Sequence, residues 1–215
     1  MAINAKTINI RVADTEEGRS GASMLINRMY AWRGYGDSHR IEDNPNRITL
    51  SASDQGRMIG TVTLGIDSPL GLLADEVFKD QLDVLREDGA KICEISKLAF
   101  DPTVRSKAAL GSLFHILYIY ARHLYQCTDA VIEVNPRHRR YYEQMLGFKT
   151  QTGVRTNPRV DAPAYLMWVK LDYMGEQIEL LGGTADQGNT ERSLYPHFFS
   201  AREEVGIANR LFALR

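Results

Sequence analysis

The stretch ICEISKLAFDPTVRSKAALGSLFHILYIYARHLY, residues 92–125, decides how the rest of the chain is read. Ile92 to Phe100 sets Glu94, Ser96 and Lys97 among Ile92, Ile95, Leu98, Ala99 and Phe100, the pattern of a short strand that carries polar groups. Asp101 to Ser106 is a polar turn with a proline, an arginine and a serine. From Lys107 the apolar residues recur at helical spacing, through Leu110, Leu113, Phe114, Leu117, Tyr120, Ala121 and Leu124. A strand that feeds through a polar turn into a helix start is a common anion site, because the first amides of a helix have no partner within it and point outward.

Upstream, Thr7 to Val12 alternates as a half-buried strand, and Ser20 to Trp32 reads as a helix with Met24, Leu25, Met29 and Trp32 on one face. Gly34 to Asn46 is dense in turn formers and charge, the composition of a surface loop or of a gate beside a cleft. Arg47 to Ser53 and Met58 to Asp67 are strands joined by Asp54-Gln55-Gly56 as a hairpin, and Gly71 to Arg86 gives one or two short helices. Downstream, Asp129 to Val134 is a nearly continuous apolar strand of the kind buried in a sheet centre. Arg137 to Leu146 is a short helix, Gly147-Phe148 leads into a strand, and Ala164 to Leu171 is a further strand. Beyond it, Leu180 to Asn189 is glycine-rich and irregular. Ser200 to Leu214 forms an amphipathic helix with Val205, Ala208, Leu211 and Phe212 on one side. The expectation is a mixed α/β (α+β) domain over residues 1–171, followed by an extension over 172–215 whose helix packs on the body or on a second subunit.

Composition narrows the function classes. The chain has 215 residues, 44% hydrophobic and 25% charged, with a net charge of -1, which gives no overall pull towards nucleic acid. The two cysteines, Cys93 and Cys127, have no metal-ligand spacing, and no metal site is expected. The opening MAINAKTINIRVAD lacks the apolar core of a secretory signal, and no apolar run reaches the roughly 18 residues of a membrane span. A cytoplasmic protein with reduced thiols is expected.

The order of elements, the strand-turn-helix at 92–125 and the phrase NPRHRRYYEQMLGF at 135–148 together resemble the GNAT superfamily of acyltransferases over about Thr7 to Leu171. That resemblance implies a mixed central sheet with helices on both faces and a V-shaped opening between two strands that admits a pantetheine arm. CEISKLAF at 93–100 is similar to the Glu-x-Ser-Arg strand of acyl-homoserine lactone synthases, with Lys97 in the arginine's place. YAWRGYG at 30–36 is similar to the first helix and loop of those synthases and of the FeeM-type N-acyl amino acid synthases. The NPRHRRYYEQMLGF ending makes the FeeM type the nearer of the two. Ordinary acetyl-CoA-dependent members place several glycines after the loop arginine, where backbone amides approach a diphosphate. Here the run is Arg105-Ser106-Lys107-Ala108-Ala109-Leu110-Gly111. The resemblance therefore implies an acyl-phosphopantetheine donor, acyl carrier protein rather than acyl-CoA, with no tightly bound cofactor.

On this resemblance Glu94 is the candidate base and Ser96, two residues on, shares its strand face. Lys97 is expected on the opposite face. Tyr142 and Tyr141, five and six residues before Gly147, are both candidates to protonate the leaving thiolate. Backbone amides around Leu98, Ala99 and Phe100 would polarise the thioester. Arg105, Ser106, Lys107, Ala108 and Ala109, with Asn135, would hold the donor arm. Arg137, Arg139 and Arg140 would steer an acidic carrier protein. Phe114, Leu117, Met145, Met167 and Trp168 are candidates for an acyl tunnel or for ordinary core. The expected activity joins a long fatty acyl group to the amine of an amino acid or similar small amine. The alternatives are an acetyl-CoA-dependent N-acetyltransferase, an acyl-homoserine lactone synthase, and a non-catalytic acyl- or carrier-binding module.

Overall fold

The computed structural model describes residues 8–104, 106–188 and 190–213. Its elements are β1 (Ile8–Val12), α1 (Glu16–Ala31), β2 (Arg47–Asp54), β3 (Arg57–Ile66), α2 (Asp75–Glu87), β4 (Ile92–Phe100) and α3 (Lys107–Ile119). There follow β5 (Asp129–Val134), α4 (Arg139–Leu146), β6 (Lys149–Thr150), β7 (Arg155–Asn157), β8 (Ala162–Lys170), α5 (Leu171–Leu181) and α6 (Ala201–Ala213). The strands form one sheet in the order β1-β2-β3-β4-β5-β8-β6, with β7 paired to β8. Every pairing is antiparallel except that of β4 with β5.

That parallel pair is short. Ile92, Cys93 and Glu94 lie against Asp129, Ala130 and Val131, and beyond Glu94 the two strands part. A bulge in β4 adds to the divergence: Ser96 pairs with Thr63 and Ala99 with Thr61, so Lys97 and Leu98 together oppose one residue of β3. Lys97 takes a left-handed φ of 50° to make it. Strict alternation puts Lys97 on the face opposite Glu94; the bulge breaks that alternation, and Lys97 lines the cleft described below.

Helices cover both faces. On one, Leu25, Ile26 and Met29 of α1 pack on Ala99, while Phe78 and Leu82 of α2 pack on Ile92, Val131 and Leu166. On the other, α3 is buried almost all round between the sheet and the C-terminal segment. The buried stripe of α1 is Ala22, Leu25, Ile26 and Met29. Met24 and Trp32, expected on that stripe, are 71% and 77% exposed. The helix starts at Glu16 rather than Ser20 because Thr15 accepts the Gly18 amide at 3.1 Å, an N-cap followed by two glutamates. Gln55 and Gly56, both at positive φ, close the β2–β3 hairpin as the DQG signal suggested.

Elements after β8 are built into the same core. Leu171, Met174 and Ile178 bury one side of α5, a helix that the sequence reading left undecided, and Leu194, Tyr195 and Phe198 are buried beside α3. On α6 the inward residues are Ile207, Ala208, Leu211 and Phe212; Val205, expected among them, is 61% exposed. Glu204 ties this helix down between His115 Nε2 (3.0 Å) and His123 Nε2 (2.6 Å). His115 Nδ1 accepts the Phe199 amide at 2.9 Å, so its ring proton sits on Nε2 and points at Glu204. Phe114, Leu117 and Met167 belong to this core and do not line the cleft, so of the two readings given for them ordinary core is the one observed.

Gly111 is explained here rather than by anion binding. A Cβ at that position would lie 2.6 Å from the His197 carbonyl oxygen, a backbone atom that cannot swing aside. Gly111→Val is therefore expected to destabilise the fold by about 1–3 kcal/mol, read as a lower midpoint in denaturant unfolding. An unchanged midpoint would show that the C-terminal segment does not press on α3.

Candidate active site

Where β4 and β5 part, a cavity of about 800 Å³ opens between them. Its walls come from the ends of both strands, α1 and its following loop, the start of α3, α4, and the β7–β8 turn. Ile95 to Leu98 of β4 and Ile132 to Val134 of β5 face each other across it without a ladder.

Glu94 stands at the apex of the split and is 2% exposed. Its Oε2 accepts the Leu73 amide at 2.8 Å and its Oε1 the Ala74 amide at 3.0 Å, immediately before α2. Burial raises its pKa to about 7, against the opposing pull of the amide bonds. The loop that supplies those amides is itself fixed. Asp75 accepts the Leu72 amide at 2.6 Å, and Arg86 clamps Asp75, Asp67 and Asp83. Ser96 lines the cavity from the same strand. Lys97 also lines it, its Nζ donating to the Arg40 carbonyl at 2.6 Å, and burial lowers its pKa.

The residues expected to hold a donor divide. Leu98, Phe100, Ser106, Lys107 and Asn135 line the cavity, whereas Ala99 faces α1, and Ala108 and Ala109 lie outside the lining. Ser106 Oγ caps α3 by accepting the Ala109 amide at 3.1 Å, so that hydroxyl and that amide already serve each other. Arg105 lies outside the described residues. Asn135 accepts the Arg137 amide at 3.2 Å.

Tyr141 and Tyr142 both line the cavity. Burial raises the pKa of each, most strongly for Tyr142, so both phenols keep their protons at neutral pH. Of the basic cluster, Arg137 donates to the Tyr35 hydroxyl at 2.7 Å and lies over its ring, tying the loop after α1 to the end of β5. Arg139 pairs with Glu143 at 3.4 Å and covers Tyr165, and Arg140 is exposed. His138 lines the cavity, its pKa lowered by burial and by Arg137. Cys93 and Cys127 are buried free thiols away from the cavity, so no thiol nucleophile faces it.

Several lining residues had not been singled out: Tyr30, Tyr35, Glu133, Asn157 and Arg159. Glu133 alone left a visible signal, as the internal acid of the apolar run DAVIEV. Tyr35 and Arg159 arrive from loops whose course no periodicity reports, Tyr30 from the last turn of α1 and Asn157 from the end of β7. Among the described residues, no group of three or more His, Cys, Asp or Glu is placed to hold a metal ion, and no helix is long and apolar enough to cross a membrane.

A family model described as N-acyl amino acid synthase FeeM matches residues 21–170. The chain belongs to the FeeM family. This member is an acyltransferase related to N-acyl amino acid synthases. Its structure matches that of FeeM, an N-acyl amino acid synthase from uncultured soil microbes, with a TM-score of 0.69 and 22% identity over 79% of this chain and 93% of that one. An acyl-CoA N-acyltransferase from Pseudomonas aeruginosa matches at TM-score 0.52 and 15% identity, over 75% and 97% of the two chains. A variant of spermidine N-acetyltransferase SpeG from Vibrio cholerae matches at 0.51 and 14%, over 79% and 96%. These likenesses establish the GNAT fold for this FeeM-family chain, with its split sheet and helices on both faces. No curated protein matches it.

Proposed function

We propose that the chain transfers a long fatty acyl group from the phosphopantetheine arm of an acyl carrier protein to the amine of an amino acid or similar small amine. The observation that carries this is the parting of β4 and β5 after Glu94 and Val131, which turns two strand edges towards one cavity of about 800 Å³. An extended arm with amide groups can bind such edges by main-chain hydrogen bonds, as a peptide binds a sheet edge. The start of α3 favours the carrier as donor. It has no glycine before Gly111, and its Ser106 hydroxyl and Ala109 amide are engaged with each other. That leaves Lys107 and the first amides of the helix, a setting for a single phosphate rather than a diphosphate. Arg137, Arg139 and Arg140 supply positive charge that suits an acidic carrier.

In the reaction the amine nitrogen attacks the thioester carbon and Glu94 takes the amine proton. The C–S bond breaks, and Tyr142 or Tyr141 gives its phenolic proton to the leaving thiolate. An amide and a free thiol result. Amide nitrogens in the β4 bulge, around Leu98 to Phe100, polarise the carbonyl. Ser96 positions the amine.

The test is to supply palmitoyl carrier protein and palmitoyl-CoA separately, each with the standard amino acids and ethanolamine, and to read products by mass spectrometry. Amide from the carrier thioester supports the proposal. Amide from palmitoyl-CoA alone moves the donor to coenzyme A, and no amide from any pairing by folded protein overturns the proposal.

A further inference from the structure

Glu133 lies two residues beyond Val131, the β5 residue that pairs with Glu94. Side chains two apart share a face, so Glu94 and Ser96 on β4 and Glu133 on β5 stand on the α2 side of the sheet, flanking the split. Glu133 is held rigidly. Its Oε1 accepts Asn157 Nδ2 at 3.0 Å and its Oε2 accepts Nη2 of Arg159. Asn157, 6% exposed, fixes Arg159 in turn by accepting its amide at 2.9 Å. Arg159 is further occupied by the Leu73 carbonyl and by Glu76. Each Glu133 oxygen keeps lone-pair capacity for another donor.

Acids are few in the cavity. Among its described lining residues the acids are Glu94 and Glu133, while Arg33, Arg40, Lys97, Lys107 and Arg159 are cations. Arg159, shared with Glu76, cannot balance both carboxylates. Two buried carboxylates lacking full compensation are costly, and a cation placed between them removes the cost. Arg47 on β2 also acts on Glu94.

We propose that Glu133 is a binding residue for the acceptor, which docks from the α2 side as an ammonium held between Glu133 and Glu94; Glu94 takes one proton from it and releases that proton to water, and takes the second as the nitrogen attacks. This rests on the proposed function for the reaction, though not for the binding. A neutral nucleophile such as an alcohol gains nothing from the pair, so primary amines are the class selected.

The experiment is Glu133→Gln in the full chain, with amine and donor varied separately in the palmitoyl-carrier assay. KM for the amine should rise about 10- to 100-fold, the loss of one charge-assisted hydrogen bond, while KM for the donor stays unchanged. The acid limb of kcat/KM should also move to lower pH, because the Glu133 charge helps to raise the Glu94 pKa. A merely structural role would lower activity without moving that limb. Unchanged amine KM and an unmoved limb overturn the proposal and leave the reaction standing. Should Glu133→Gln not fold, Asn157→Ser, which loosens the carboxylate but keeps its charge, should raise the amine KM by a smaller factor with the donor KM unchanged. If the wild type makes no amide, calorimetric titration with ethanolamine still decides: affinity lost in Glu133→Gln supports the acceptor role, and affinity retained, or absent from the wild type, overturns it.

Discussion

Glu94→Gln should lower kcat/KM by about 10²- to 10⁴-fold, the range for removing a positioned general base. The side chain is almost isosteric, and the protonated carboxyl it replaces is already substantially populated near neutrality because burial raises the pKa to about 7. Two amides, those of Leu73 and Ala74, converge on Glu94, and glutamine has one acceptor oxygen for them. The variant should therefore melt somewhat lower, by about 1–3 kcal/mol for one buried amide left facing an NH₂ group, yet stay folded at the assay temperature. The wild-type profile of kcat/KM should carry an acid limb centred near pH 7, since the base works as the carboxylate above its raised pKa. Glutamine does not titrate, so that limb should vanish. Full rate from a folded Glu94→Gln protein would remove the base assignment and leave the fold untouched.

Tyr195→Ala should be the most destabilising single change outside the cleft, at about 3–5 kcal/mol. Tyr195 heads the largest fully buried side chains, its hydroxyl donates to the Leu146 carbonyl at 2.8 Å, and its ring packs on Phe198 at 5.1 Å. Truncation empties that volume and orphans a carbonyl at the end of α4, the helix that carries Tyr141 and Tyr142. Tyr195→Phe separates the two causes, since it keeps the ring and should cost about 1 kcal/mol for the hydrogen bond. Denaturant unfolding of both variants measures the difference. A small loss in Tyr195→Ala would mean that the segment around Leu194 to Phe198 is not part of the core.

Local patterns were legible where one interaction set them. β4 at Ile92–Phe100, β5 at Asp129–Val134 and the hairpin turn at Gln55-Gly56 fell where alternation and turn chemistry put them. Helix faces were less legible. Met24, Trp32 and Val205 were placed inward by periodicity yet are exposed, because a helix turns whichever stripe fits the surface offered by other elements. α5 was missed because its stripe is three residues long and its glycine-rich surroundings imitate a loop.

The site divides in the same way. Sequence by itself placed the candidate residues, with Glu94 and Ser96 in phase on β4, two tyrosines before Gly147 and a helix start without glycines, and pointed through their pattern to the acyltransferase family. Only the tertiary structure decided which groups meet. The early end of the β4–β5 ladder, the bulge at Lys97, the amides that brace Glu94, and Glu133 with Asn157 and Arg159 opposite it all depend on segments far apart in the chain. The physical reason is range. Side-chain period and turn preference act over a few residues, whereas the burial that raises a carboxyl's pKa and the partners that hold it come from whatever the fold packs alongside.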